Sequence, residues 1–237
     1  MVDIHCHILP GIDDGAETWD ITTKMCRMAV RDGITHIVAT PHCNGIYEYE
    51  RAHFTNMLAT LSEVSEGELT FSIGCDFHLS APNLQEAMDD PQRFAIGDTN
   101  YIMIEFEHYG IPSDADEQLM ALVSRGMVPI ITHPERNAYL VQNLDRVSRF
   151  IEFGCLVQVT ANAFTGFWGL KSKKAAEKLL KRHAIHIVAT DAHDLTLRPP
   201  ILSEARRRIT ELADADVAEA LVTHNPAAVV TGQSVAH

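Results

Sequence analysis

Val2-Asp3-Ile4-His5-Cys6-His7 begins with a β-branched, apolar run and carries ionisable side chains at alternate positions. Residues two apart on a strand share a face, so His5 and His7 can converge on one point while Cys6 turns to the opposite side. The run 185–190 repeats the device near the other end of the chain, leading into Asp191-Ala192-His193. Between the two, short apolar runs alternate with longer amphipathic segments, the pattern of repeated strand–helix units around a parallel sheet. Strands are predicted at Val2–Cys6, 34–40, 69–75, Tyr101–Glu105, Val128–Thr132, Leu156–Thr160 and 185–190. Helices are predicted at 18–31, 51–65, 114–124, 145–153, 171–182, 203–213 and 216–223. Gly33, Gly126 and Gly154 each stand just before a strand, where a helix C-cap needs a residue tolerant of positive φ. No linker, repeat or low-complexity tract interrupts the series, and Asp89-Asp90-Pro91 reads as a turn. The expectation is an α/β fold of one domain over residues 1–237, with seven units closing into a barrel rather than an open sheet.

A chain of 237 residues can bury a substantial core. Its formal charge of -13 and the absence of a Lys/Arg stripe argue against a nucleic-acid surface. Cys6, Cys26, Cys43, Cys75 and Cys155 form an odd set without a CxxC pair, so neither a disulfide framework nor a zinc finger is indicated. No leader-like segment opens the sequence, and no apolar stretch approaches the roughly 20 residues of a bilayer span. A cytoplasmic protein without direct membrane insertion is expected.

Histidines and carboxylates recur at the carboxyl ends of the predicted strands, where barrel enzymes assemble their sites. His5 and His7 close the first strand, His42 follows the second, and Asp76 follows the third. Glu105 ends the fourth, His133 follows the fifth, and Asp191 and His193 follow the seventh. Asp14 joins them from the loop Asp13-Asp14-Gly15. Imidazole nitrogens and carboxylate oxygens suit zinc, manganese and iron, and a carboxylate can bridge two cations. One strand-end histidine is ordinarily a hydrogen-bonding residue, but nine donors at nearly every strand end predict a metal site. His36, His53, His78, His183, His186, His224 and His237 take the ordinary structural reading. Cys43 and Cys75 adjoin predicted ligands, and adjacency in extended chain turns them toward packing.

These residues resemble the polymerase-and-histidinol-phosphatase (PHP) superfamily, and more narrowly its CpsB/CapC group of bacterial metal-dependent protein-tyrosine phosphatases. The similarity runs through Asp3-Ile4-His5-Cys6-His7, Asp13-Asp14-Gly15, Thr40-Pro41-His42, Ile104-Glu105-Phe106 and His133-Pro134-Glu135-Arg136. It continues in Gln158-Val159-Thr160-Ala161-Asn162, Thr190-Asp191-Ala192-His193 and Arg198-Pro199-Pro200, and so covers nearly the whole chain. The resemblance implies a distorted (β/α)7 TIM-like barrel of the PHP type with three divalent ions, commonly manganese and sometimes iron, zinc or magnesium. Carried over by motif, His5, His7, Glu105 and Asp191 would hold one ion. Asp76, Glu105 and His133 would hold a second, and Asp14, His42 and His193 a third. The group usually has Glu where Gly74-Cys75-Asp76 places Asp76, which keeps the charge with one methylene less reach.

The chemistry expected is phosphomonoester hydrolysis by hydroxide generated at the cations, with no covalent phosphoenzyme. Arg136 and Arg198 are predicted to clamp phosphate oxygens with their planar forks. Their ordinary alternative is a surface ion pair with Glu135 or Asp194. No cysteine has Arg six residues after it, and neither a G-x-S-x-G elbow nor a P-loop is present, so thiolate, serine-hydrolase and nucleotide-triphosphatase readings lack support. For substrate, the resemblance implies the phosphotyrosine tail of a bacterial tyrosine autokinase that controls capsule or exopolysaccharide assembly. A small-molecule PHP phosphatase acting on a histidinol-phosphate-like ester is the alternative, followed by a non-catalytic regulatory metal-binding protein. Oligomeric state is left open by the sequence.

Overall fold

The computed structural model describes residues 1–235, and His237 lies outside the described residues. Nine strand segments alternate with helices: β1 Val2–Cys6, β2 His36–Ala39, β3 His42–Cys43, β4 Thr70–Ile73, β5 Asp76–His78, β6 Tyr101–Glu105, β7 Val128–Thr132, β8 Leu156–Thr160 and β9 Ile187–Ala189. Every neighbouring pair is parallel, in the orders β1-β2-β4 and β3-β5-β6-β7-β8-β9.

Seven strands become nine segments because the second and third are each broken in the middle. Pro41 has no N–H to give a ladder, and it separates β2 from β3. Gly74 separates β4 from β5, and a Cβ there would lie 3.0 Å from Val38 Cγ1, so the strands approach too closely for a side chain. The first halves, β2 and β4, pair with each other and reach β1 through β2, and the second halves, β3 and β5, pair with each other and reach β6 through β5, so the ring passes through the two kinks. On the other side the last strand returns to the first: Asp191 N donates to His5 O at 2.8 Å and His7 N to Ala192 O at 2.8 Å, with one parallel bridge at Cys6–Ala192. The result is a distorted (β/α)7 barrel whose seam is short.

β1, β6 and β8 are buried along their whole lengths, as strands covered on both faces must be. Helix Trp19–Asp32 is fixed at its start by Thr18 Oγ1, which accepts from Ile21 N, and at its end by Gly33 at φ 87°. Helix Leu144–Glu152 buries Leu144, Val147 and Phe150 on one face, and Phe150 meets Phe106 beyond β6 with ring centroids 5.7 Å apart. A smaller cluster joins Ile4, Val38, Met103, Ile130 and Ile187, so strand side chains from around the ring meet one another.

Three helices were not expected, Ala81–Asp89, Ala161–Thr165 and Asn225–Val230. In the first and last of these, Pro82 and Pro226 occupy first turns, where the missing N–H costs nothing. The helix expected at 216–223 is Ala215–Glu219 followed by a π-helical turn, Ala220–His224. One reading of charge is also corrected. Lysines that form no stripe in linear order fall along helix Gly169–Lys181, where spacings of three and four residues bring Lys171, Lys174, Lys178 and Lys181 onto one exposed face.

Phe150→Ala removes a fully buried ring and leaves a cavity between helix and barrel. Denaturant unfolding is expected to show a loss of about 3–5 kcal/mol.

Candidate metal centre

Because the strands are parallel, all their carboxyl ends lie on one side, and the loops there bring the nine predicted donors together. They fall into four overlapping groups, each with one ligand atom per residue within 4.8 Å of the others: His7, Asp14, His42 and His193; His5, His7 and Asp76; His5, His133 and Asp191; and His42, Asp76 and Glu105. The trio Asp14, His42 and His193 is gathered intact. His5 Nε2 and His7 Nε2 stand 3.2 Å apart, and Asp191 Oδ1 lies 3.2 Å from the first and 3.3 Å from the second. Glu105 groups with His42 and Asp76, and its Oε1 is 3.7 Å from His133 Nε2. The shorter Asp76 still reaches inward, with Oδ2 3.4 Å from His5 Nε2 and 3.3 Å from His42 Nδ1.

Partners on the far side of the rings decide which nitrogens are free. Asp13 Oδ2 sits 2.7 Å from His7 Nδ1 and also accepts from His42 N at 3.1 Å. Gln158 Oε1 sits 3.1 Å from His5 Nδ1, and the Asp191 carbonyl 3.0 Å from His193 Nδ1. Each contact fixes a ring with Nε2 turned to the cluster, the arrangement that orients histidine ligands. Asp13 and Gln158 stood in the sequence motifs without a role, because only the fold shows which nitrogen they meet. Asp3 acts one layer deeper: it accepts from Thr190 N at 2.9 Å and Thr190 Oγ1 at 2.5 Å, anchoring the turn into Asp191.

The backbone is strained where two donors leave their strands. His133 has φ 34° and Asp191 φ 53°, left-handed values that turn the side chains at the ends of the strands. Gly15 meets a tighter limit, since a Cβ there would lie 2.2 Å from His7 O; only glycine lets the Asp13-Asp14 loop lie on β1.

A cation fits these donors. His42 Nδ1, both Asp76 carboxylate oxygens and His193 Nε2 are buried without a hydrogen-bond partner among the described residues, a state that is costly for polar atoms unless something else binds them. The electrostatics agree. Burial and then Asp76 push the Glu105 carboxyl up to about 8. Burial alone would lower His5, yet Asp191 and Asp76 raise it to about 9. Both shifts record an excess of negative charge that bound cations would neutralise.

Arg136 and Arg198 do not pair with Glu135 or Asp194. Both guanidiniums pair with Asp191 Oδ2, while Oδ1 of the same carboxylate faces His5 and His7. Glu135 is instead fully buried and accepts from Thr160 N at 2.9 Å, and Asp194 accepts from the backbone of Thr196 and Leu197. The Trp168 ring lies beneath both arginines, with the Arg136 guanidinium carbon 4.0 Å and the Arg198 carbon 5.5 Å from its centroid. Sequence reading missed Trp168, which carries no motif and acts only as a floor for residues distant in the chain.

Arginines and donors share a cavity of about 460 Å³ whose wall includes Ile46, Tyr47 and Tyr109. His78, given an ordinary role from sequence, also lines it, with Nε2 3.4 Å from Glu107 Oε1 and Nδ1 3.9 Å from Glu105 Oε2. His108, beside Glu107, is a further wall residue. Among the described residues, the other histidines remain outside the donor groups; His36, for example, sits between Thr70 and Ser72 hydroxyls. Cys43 and Cys75 are buried free thiols and join no donor group.

The family model for CpsB/CapC, described as capsular polysaccharide synthesis, matches residues 1–231. Tyrosine-protein phosphatase YwqE of Bacillus subtilis is 34% identical over 202 residues, 84% of this chain and 79% of its own length. Tyrosine-protein phosphatase CpsB of Streptococcus pneumoniae is 28% identical over 244 residues, 99% of this chain and 100% of its own. A chain from crystal structures of YwqE and CpsB, described as unique metal-dependent tyrosine phosphatases, superposes with a TM-score of 0.93 at 31% identity, covering 100% of this chain and 96% of that one.

Two measurements test the centre. Asp13→Asn, which leaves every donor in place but loosens His7, is expected to weaken metal affinity about 10–100-fold in a competition titration. Glu105 near 8 and His5 near 9 hold protons at pH 7 in the metal-free protein and must release them to bind a cation. Calorimetric titrations in buffers of different ionisation enthalpy should therefore show proton release on metal binding, with affinity rising as pH is raised from 7 toward 9.

Proposed function

The chain belongs to the CpsB/CapC family, and from that premise we propose that it is a metal-dependent phosphomonoesterase that removes phosphate from tyrosine side chains. The observation that carries the reading is the convergence, in one cavity, of four overlapping donor groups with the paired guanidiniums of Arg136 and Arg198. The nine donors are proposed to hold three divalent ions, with manganese the first choice and iron, zinc or magnesium the alternatives. Such ions supply Lewis acidity and an activated water for attack on phosphorus.

The chain's own residues perform the rest. Asp14, His42, Asp76, Glu105 and His133 line the cavity together with Arg136 and Arg198. Trp168 keeps the two forks together, so their N–H groups can take phosphate oxygens when these displace them from Asp191. Charge on a phosphate monoester is thereby met by both arginines and by the cations the donors would hold, so charge shifting onto its oxygens in the transition state is stabilised. Ile46, Tyr47 and Tyr109 at the wall supply apolar and aromatic surface suited to a phenyl ester.

The fold is proposed to act as one domain over the whole chain, in the cytoplasm, on the phosphotyrosine tail of a bacterial tyrosine autokinase in capsule or exopolysaccharide control. Among the described residues, no helix is long and apolar enough to cross a membrane.

Metal-reconstituted protein is expected to hydrolyse p-nitrophenyl phosphate and a phosphotyrosine peptide in preference to histidinol phosphate, and chelation is expected to abolish turnover. Asp191→Asn and His42→Ala should lose both metal and activity. Arg136→Ala or Arg198→Ala should keep the metal while kcat/KM falls about 10–100-fold, the loss of one charge-assisted contact. Full turnover after chelation, or in the Asp191 variant, would overturn the reading.

A further inference from the structure

Helix Gly169–Lys181 departs from the acidic character of the rest of the molecule. The chain has six lysines, and Lys171, Lys173, Lys174, Lys178 and Lys181 all lie in this one helix, followed by Arg182, in a protein with formal charge -13. Lys171, Lys174, Lys178, Lys181 and Arg182 are exposed at helical spacings of three and four, so they form a stripe along one face. At about 1.5 Å per residue the stripe is roughly 16 Å long. Few acids compensate it. Glu177, the only acid in the helix, lies 3.5 Å from Arg208, and Asp145 lies 2.8 Å from Arg182.

The head of the stripe adjoins the metal centre through Arg136, which lines both the cavity and a neighbouring recess. Lys171 shares that recess with Arg136 and Trp168. At the tail, Lys178 and Arg182 line a second recess with Arg146 and Arg149. The cations therefore begin beside Arg136, next to the phosphate-binding cavity, and run along the helix from there. Phe167 and Leu170, 46% and 73% exposed, add apolar surface at the head.

We propose that this helix face is the docking track for an acidic peptide segment next to the phosphotyrosine, so that the enzyme selects phosphotyrosines flanked by carboxylates. The inference rests on the phosphatase reading above. Charge complementarity names the occupant, and continuity with the cavity favours a peptide over a membrane, because a peptide with its phosphotyrosine in the mouth must leave along the surface beside it. An extended chain rises about 3.3 Å per residue, so the stripe would span roughly five residues. Long-range attraction from such a face raises the encounter rate and is screened by salt.

The test compares metal-loaded wild type with Lys171→Gln/Lys174→Gln/Lys178→Gln/Lys181→Gln, none of which touches the donor cluster. Substrates are three phosphotyrosine peptides, with five Asp/Glu, five Ser/Gly or five Lys beside the phosphotyrosine on either side, together with p-nitrophenyl phosphate. Wild type is expected to favour the acidic peptide over the neutral one about 5–20-fold in kcat/KM at low salt. That preference should disappear in the fourfold variant and at high salt, with p-nitrophenyl phosphate turnover unchanged. Equal rates on acidic and neutral peptides in wild type, or a preference that survives the fourfold change, would overturn the proposal.

Binding of the same peptides carrying a non-hydrolysable phosphonate in place of the phosphate, followed by fluorescence anisotropy, separates the two readings. A stripe-dependent preference in binding without turnover of any aryl phosphate leaves the track standing and removes the phosphatase. Sedimentation with phosphatidylserine vesicles covers the competing occupant: stripe-dependent vesicle binding together with no acidic-peptide preference assigns the face to a membrane and overturns the proposal. Should the fourfold variant misfold, Lys174→Glu/Lys178→Glu, distant from the mouth, makes the same comparison.

Discussion

Three carboxylates buried within reach of one another, Asp76, Glu105 and Asp191, set the terms for the whole upper end of the barrel. Negative charge removed from water at such density must be neutralised by protons, by protein cations or by bound ions. Histidines are the groups interposed here, and two arginines take the outward oxygen of Asp191. The protein alone does not complete the compensation: Asp76 keeps both oxygens without a hydrogen bond, and Glu105 holds its proton well above the usual carboxylate range. Much of the surrounding structure can be understood as holding this unstable arrangement still. Asp13, Gln158 and Asp3 brace the rings and the turn, Gly15 allows the loop to lie flat, and Trp168 supports the arginines.

The donors were legible in the sequence because each stands at a strand end, and a parallel barrel places all such ends on one side. His5, Glu105 and Asp191 are far apart in the chain but equivalent in their units, so recognising the units was enough to gather them. The supporting residues were not legible in that way. Gln158 is one polar residue inside a buried strand, and its value depends on meeting His5 Nδ1 across the barrel. Trp168 follows a short helix, Ala161–Thr165, whose existence the strand pattern did not suggest. His78 was set aside because it is one more histidine near a strand end, and only the cavity wall distinguishes it from His36.

The fold shows the same division between pattern and context. Hydrophobic runs located all seven staves, yet Pro41 and Gly74 cut two of them, each by a local effect that a count of apolar residues does not contain. The interruptions are useful. They let β3 and β5 carry His42 and Asp76 at a changed angle, paired across from one another, instead of continuing the line of β2 and β4. Pro82 and Pro226 play a different part, since a residue that stops a helix in its middle is well suited to begin one.

The seam between the last strand and the first consists of a single bridge, Cys6–Ala192, with one backbone hydrogen bond from Asp191 and another from His7. His5 and His7 stand on one side of that seam and Asp191 and His193 on the other, so an ion gripped by the set would be tied to both ends of the ring at once. The centre would then be a hoop as well as a reagent. A cooper closes a cask in the same way, setting the last stave against the first and relying on the band to keep them together.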